Sequence, residues 1–370
     1  MKIIYLDNAA TTPVKEEVVE EMKKYMLEEY GNAGSPHELG ERAKKKIEEV
    51  RKKISLELGC KMYEIIFTSG ASESNNIALI GYFKSNKGKK LLISKIEHSS
   101  VYETAKALEK EGVRVVEIPV NYNGLIDLEF IEKNAKKGDL VSVIHAHNEI
   151  GVIQDIGRIG KICRKVGAVF HTDSVQIFGK EKIKVNELWI DMLSASGHKI
   201  NCIKGIGILF IKEGTKIGKI IYGGEQEKGI RPGTENVSGI VGMGKALELI
   251  KEVDKEKIRK NRDYFIAELE KIGGKIIGDK EKRIYNNINM AFSGIDSDKL
   301  VVYLSGKGIM CSARSACLTK ERKENRILKA LDVDKKLIKG SMRFVLDERI
   351  GKKEINYVVK NIKAFIDKIK

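Results

Sequence analysis

The stretch "DMLSASGHKI", residues 191–200, closes an apolar run with Ser-Gly-His-Lys. An amine at the end of a core segment is costly unless it is paired or used covalently. Four other stretches have the same form, an apolar run breaking into polar residues: "TSGASESNN" (68–76), "EHSS" (97–100), "HAHNEIG" (145–151) and "HTDSVQ" (171–176). Together they offer an amine in Lys199, a carboxylate in Asp173, imidazoles in His98 and His198, and amides in Asn148 and Gln176. Gly70 admits close backbone approach, and Ser72 opens a helix whose free N–H groups and positive dipole end favour a phosphate. Each residue also has an ordinary use: Ser-Gly and Asp before a helix are common caps, and histidines are often satisfied in cores. The combination is more demanding. Pyridoxal phosphate binds a lysine covalently, needs an acid against its pyridinium nitrogen and carries a phosphate.

These tips can act together only if the strands behind them share a sheet. Apolar positions at helical spacing predict helices over residues 15–29 and 37–58, separated by the turn-forming "YGNAGS". Strands then alternate with helices: "YEIIFTS", "KLLISK", "VRVVEIPV", "DLVSVIHAH", "AVFHTDS", "WIDMLSAS" and "GIGILFIK" read as strands, with "SESNNIALIGYF", "SSVYETAKALEKEG" and "DIGRIGKICRKVG" as helices. This alternation predicts a mostly parallel sheet covered on both faces, with ligands outside the carboxyl ends of its strands. A long helical stretch after "GTENV" predicts a connector to a smaller α+β domain, which ends in the helix "EINYVVKNIKAFIDKIK".

The 370 residues suffice for two domains, and 42% hydrophobic with 32% charged residues is a globular balance. The net charge of +16 is spread along amphipathic segments such as "HELGERAKKKIEEVRKKISLELG", a solvated face rather than a nucleic-acid surface. No apolar run is long enough for a membrane span, and "MKIIYLDNAATTPV" lacks the pattern of a secretion signal, so a cytoplasmic location is expected. The five cysteines (Cys60, Cys163, Cys202, Cys311, Cys317) are odd in number and lack metal spacing, which leaves thiol chemistry open. His145 and His147 form an i, i+2 pair, read as one core and one site residue rather than as metal ligands, so no metal is expected. Cys311 reads as a plain buried cysteine rather than a relay thiol.

Ten stretches in order, "YLDNAATTPV", "YGNAGSPH", "FTSGASESNN", "HNEIGVIQDI", "HTDSVQ", "SGHK", "KGIGILFIK", "GGEQEKGIRPGTENV", "CSARSACL" and "GSMRF", make the chain resemble the class V aminotransferase group, specifically cysteine desulfurases of the iron–sulfur assembly and nitrogen-fixation type. The resemblance implies pyridoxal-phosphate fold type I: a three-layer αβα domain with a mostly parallel seven-stranded sheet over residues 15–255, and a small domain from residues 1–14 and 256–370. It implies that Lys199 holds the cofactor and shuttles protons, that Asp173 pairs with the pyridine nitrogen, and that His98 stacks on the ring as a catalytic group. Gln176 and Asn148 would bond the phenolic oxygen, while Ala71, Ser72, Ser196 and His198 would hold the phosphate. Thr234 would reach the phosphate of a neighbouring subunit, hence a homodimer. Arg343, with Asn148, would bind the substrate carboxylate. Cys317 would be the thiolate that takes sulfur from L-cysteine as a persulfide, releasing L-alanine and later supplying an iron–sulfur scaffold or a tRNA-thiolation enzyme. The chain differs from the family pattern at His147, at "INCIKG" after the lysine, at Arg314, and in the charged "LTKERKEN" after Cys317. Alternatives are another class V enzyme, such as a selenocysteine lyase or an aminotransferase, and a non-catalytic sulfur-handling scaffold.

Overall fold

A computed structural model describes residues 3–313 and 326–369. Its strands are β1 (Ile4–Tyr5), β2 (Ile65–Thr68), β3 (Lys90–Ser94), β4 (Arg114–Ile118), β5 (Leu140–Ser142), β6 (Val169–Asp173), β7 (Met192–Ser196), β8 (Gly207–Ile211), β9 (Gly274–Ile276), β10 (Asn287–Phe292), β11 (Ile309–Met310) and β12 (Ser341–Val345). Strands β2 to β8 form one sheet of seven, in the order β2-β8-β7-β6-β5-β3-β4. Pairing is parallel from β7 through β4, while β8 runs against both β7 and β2. Two reversals restore direction, so β2 points the same way as the parallel strands. The tips after Thr68, Ser94, Ser142, Asp173 and Ser196 therefore emerge at one edge.

Near-continuous apolar strands require cover on both faces, and alternation sorts the side chains. Ile66, Leu91, Leu140, Met192 and Leu209 pack on one side with Ile77, Leu79, Val101 and Leu108 of helices α1 (Ala71–Ser85) and α2 (Ser99–Lys110). Phe67, Leu92, Val141, Phe170, Leu193 and Phe210 face the other side, in a core shared with the Glu38–Leu58, Ile156–Val166 and Val237–Leu249 helices. The long helical stretch is two helices: Val237–Leu249 is separated from Lys255–Lys271 by a 3-10 turn, with Asp254 capping the second through Lys257 N at 2.9 Å. A short helix at Leu128–Asn134, capped by Asp127, has no counterpart in the sequence reading, being too short for its periodicity to stand out.

Beyond these lie an antiparallel sheet of order β12-β10-β9 and the parallel pair β1-β11. The N-terminal segment joins both, through β1 and through a bridge between Asp7 and Val345. Residues 7–12 are thereby drawn from the small sheet toward the tips of the large one. No helix among the described residues is long and apolar enough to cross a membrane.

Candidate active site

Strand β7 ends at Ser196, and Gly197–Lys199 turns back in one 3-10 turn closed by Ile200 N on Gly197 O at 2.9 Å. The turn aims Lys199 inward, where 9% of the residue remains exposed. Its Nζ donates to the carbonyls of Ala9 and Ala10, both at 2.6 Å. The same N-terminal segment grips the turn elsewhere, since Thr12 N and Oγ1 donate to His198 O at 3.0 and 2.9 Å. Burial, then the Lys180 and Arg343 cations, push the Lys199 amine down to about 7 against the pull of Asp7 and Asp173. Near neutral pH a large share of it is an unprotonated amine.

Asp173, 3% exposed at the tip of β6, accepts from Asn75 Nδ2 at 2.9 Å and from Val175 N at 3.1 Å. Among the described residues no cation lies within ion-pair distance of it. Asn75 Nδ2 also donates to Ser100 Oγ at 2.8 Å, and Ser100 Oγ lies 2.8 Å from His98 Nδ1. Ser100 N donates to that same Nδ1 at 3.2 Å, which fixes it as an acceptor and leaves the proton of the neutral ring on Nε2. Burial holds His98 below the usual histidine range, so the ring is neutral at pH 7.

The third component is the start of α1. Gly70 has φ +154° and ψ 175°, a conformation open essentially to glycine, and no side chain caps the helix it opens. A Cβ on Gly207 would lie 2.6 Å from Gly70 Cα, so the two glycines leave backbone close to backbone beside Ser196. Ala71 and Ser72 lie at this N-terminus, and Ser196 Oγ bonds only weakly, to Ile206 O at 3.5 Å. A buried carboxylate with no cation, a depressed amine and an uncapped helix start at one sheet edge fit a cofactor with a basic ring nitrogen, an aldehyde and a phosphate.

The remaining expected residues divide. Gln176 Nε2 donates to Ala9 O at 3.2 Å, the carbonyl that also holds Lys199. His198 Nδ1 lies 3.2 Å from Thr11 Oγ1, and burial beside Lys199, Lys204 and Lys180 pushes its ring down to about 4. Arg343, on β12 and 2% exposed, donates through Nη2 to Asp7 Oδ1 at 2.7 Å and through Nη1 to Asn148 O at 3.3 Å, while its Nε is buried without a partner among the described residues. Asn148 thus enters through its backbone carbonyl, which Asn287 Nδ2 also meets at 3.3 Å. Thr234 is exposed before the Val237–Leu249 helix and is not joined to the others among the described residues. Cys317 and Arg314 lie outside the described residues.

The sequence alone gives no role to Asp7, Asn75, Ser100 or the carbonyls of Ala9 and Ala10. All five sit inside quoted stretches, so only geometry reveals which atom of each stretch works. His145 and His147 are both buried, the first 3.0 Å from Ser174 Oγ and the second accepting from Glu149 N at 3.1 Å. Among the described residues no cluster of three or more His, Cys, Asp or Glu could hold a metal. Burial pushes the thiols of Cys202 and Cys311 up to about 12, which removes them as thiolates near neutral pH.

The profile of the class-V aminotransferase family matches residues 4–356. The chain belongs to that family. Within it, the cysteine desulfurase IscS of Dictyoglomus turgidum is 42% identical over 375 residues, covering 99% of this chain and 95% of the relative. A solved NifS-like protein superposes with a TM-score of 0.92 at 35% identity and 99% coverage of both chains. A solved structure described as SspA in complex with cysteine superposes with a TM-score of 0.84 at 32% identity, covering 93% of this chain and 99% of that one. The chain is a member of the cysteine desulfurase group of class-V enzymes, whose cofactor is pyridoxal phosphate, and its αβα architecture with a mostly parallel sheet is that of fold type I.

Proposed function

We propose that this chain converts L-cysteine to L-alanine, passing the sulfur to the thiol of Cys317 as a persulfide. The thiol and L-cysteine on one side balance the persulfide and L-alanine on the other. The observation that carries the reading is the convergence, at one sheet edge, of the depressed Lys199 amine, the cation-free Asp173 carboxylate and the uncapped start of α1. Pyridoxal phosphate, when bound, supplies an electron sink that loosens bonds at the Cα and Cβ of an amino acid.

The chain's own groups do the rest. Asp173 would keep the cofactor's ring nitrogen protonated, and the Asn75–Ser100 chain holds the neutral His98 ring in place. The N–H groups of Ala71 and Ser72, with Ser196 and His198, would hold the phosphate, and Gln176, with the side-chain amide of Asn148, would bond the phenolic oxygen. Lys199, tethered by the carbonyls of Ala9 and Ala10, gives and takes a proton near neutral pH. Arg343, with Nε unpartnered and Asn148 alongside, receives the substrate carboxylate. Thr234 serves the phosphate of a second subunit, so the enzyme works as a homodimer. The chain divides functionally into a cofactor-binding part, residues 15–255, and a smaller part from residues 1–14 and 256–370. The enzyme works in the cytoplasm, handing its sulfur to an iron–sulfur scaffold or a tRNA-thiolation enzyme.

The deciding experiment supplies pyridoxal phosphate to the purified protein, records the visible spectrum before and after L-cysteine, and assays alanine and sulfide. A visible band that changes with L-cysteine, and alanine that disappears in Cys317→Ala, support the reading. Full alanine production in Cys317→Ala would instead favour a lyase that needs no thiol.

A further inference from the structure

Lys180 ends the run of turns after Asp173 and is 4% exposed. Among the described residues no carboxylate lies within ion-pair distance of its Nζ and no group accepts a hydrogen bond from it. Lysines this buried without a partner are rare, because desolvation is poorly compensated. Lys180 nevertheless lines a cavity of about 180 Å³ together with Lys199, Asn8, Asn201 and Tyr285. The other cations of that cavity are matched: Lys15 pairs with Glu348 at 3.3 Å, and Arg349 with Asp347. Among the described residues that line it, Lys180 and Lys199 are the two cations with no carboxylate partner, and they share one space.

We propose that Lys180 is a positioning residue: its unpaired ammonium, set in the same cavity as Lys199, drives the proton of the Lys199 amine into solvent and leaves the nitrogen lone pair free. The charges that face Lys199 come from several elements. Asp173 at the tip of β6 and Asp7 on the N-terminal segment retain its proton, while Arg343 on β12 and Lys180 repel it. His198 on the adjoining turn and His98 at the start of α2 are neutral. Arg343 is already engaged by Asp7 at 2.7 Å, so Lys180 is the cation left to offset Asp173. After burial, Lys180 is the largest influence on the Lys199 amine, and burial holds Lys180 itself down to about 8. A second cation beside a reactive lysine is a recognised way of activating it.

The inference rests on Lys199 being the amine that bonds the cofactor, but its test uses the cofactor-free chain. Competitive acetylation with isotopically labelled acetic anhydride, read on the Lys199 peptide by mass spectrometry from pH 5.5 to 10, reports the midpoint at which the amine loses its proton. Wild type, Lys180→Met and Lys180→Arg are compared, with circular dichroism as the check on folding and Lys180→Gln replacing a Met variant that fails it. Removal of the charge is expected to raise the midpoint by about one unit, making Lys199 roughly tenfold slower to react at pH 7, while Arg retains the low midpoint. A wild-type midpoint in Lys180→Met, or a rise in Lys180→Arg equal to that in Lys180→Met, overturns the proposal. A wild-type protein that gives no visible band with pyridoxal phosphate overturns the cofactor reading instead, without moving these midpoints.

Discussion

Two parts of this site hold the same kinds of charge in opposite ways. At the edge of the small sheet, Arg343 and Asp7 form a closed pair at 2.7 Å, with Ser312 Oγ also on Asp7 at 2.8 Å. At the edge of the large sheet, among the described residues, Lys199 meets only two carbonyls and Asp173 only amide N–H groups, although both are buried and Asp7 is partly exposed. A guanidinium beside a carboxylate keeps its charge and offers geometry, whereas an amine among carbonyls and cations can lose its proton. In the proposed function, the first end would hold the substrate and the second would transfer protons.

The hardest test of this contrast removes the amine. Lys199→Ala is expected to lower alanine production by about a thousandfold or more and to abolish the visible band obtained with pyridoxal phosphate. A variant that keeps both would reduce Lys199 to a structural lysine. Asp173→Asn keeps the shape and the Asn75 contact but deletes the charge, and a fall of roughly a hundredfold in kcat is expected. Retained activity there would mean that Asp173 merely ties strand to helix. At the small-sheet edge, Arg343→Lys preserves the charge and loses the planar fork, so kcat/KM for L-cysteine should drop by about ten- to a hundredfold, chiefly through KM. A loss confined to kcat would move Arg343 to the chemical end.

The smallest effect concerns stability. Lys180 titrates at about 8 in the folded chain against 10.5 for a free lysine, so between these values the unfolded chain binds more protons and stability rises with pH. Below about 8 the full cost of burying the charge is present. Lys180→Met should therefore raise Tm at pH 6, by a margin worth at most about 3 kcal/mol, and the gain should shrink toward pH 10. A gain that does not vary with pH would assign the effect to packing.

Much of the large sheet was legible because its strands announce themselves as apolar runs that end in polar tips, as at Asp173 and Ser196. The reversal of β8 was not, since a buried strand reads alike in either direction. It matters, because it returns Gly70 to the edge where Lys199 lies. Asn148 was legible as a polar residue after a strand, yet its backbone carbonyl rather than its amide meets Arg343. Lys180 is not legible in the sequence, because one lysine among the 68 Lys and Arg of the chain carries no local mark of being buried.

Residue types and spacing alone determined which chemistry was on offer: an amine, an acid, imidazoles and a helix start, each behind a core strand. Local periodicity suffices for this, because it reports what lies next to what along the chain. Only the tertiary structure decided which groups share a proton and which are neutralised. Asp7 meets Arg343 across 336 positions of sequence, and Ala9 meets Lys199 across 190, contacts set by sheet order and by the path of the N-terminal segment. Charge and burial act through space, and the same lysine is a solvated cation or a reactive amine according to neighbours that the chain brings from afar.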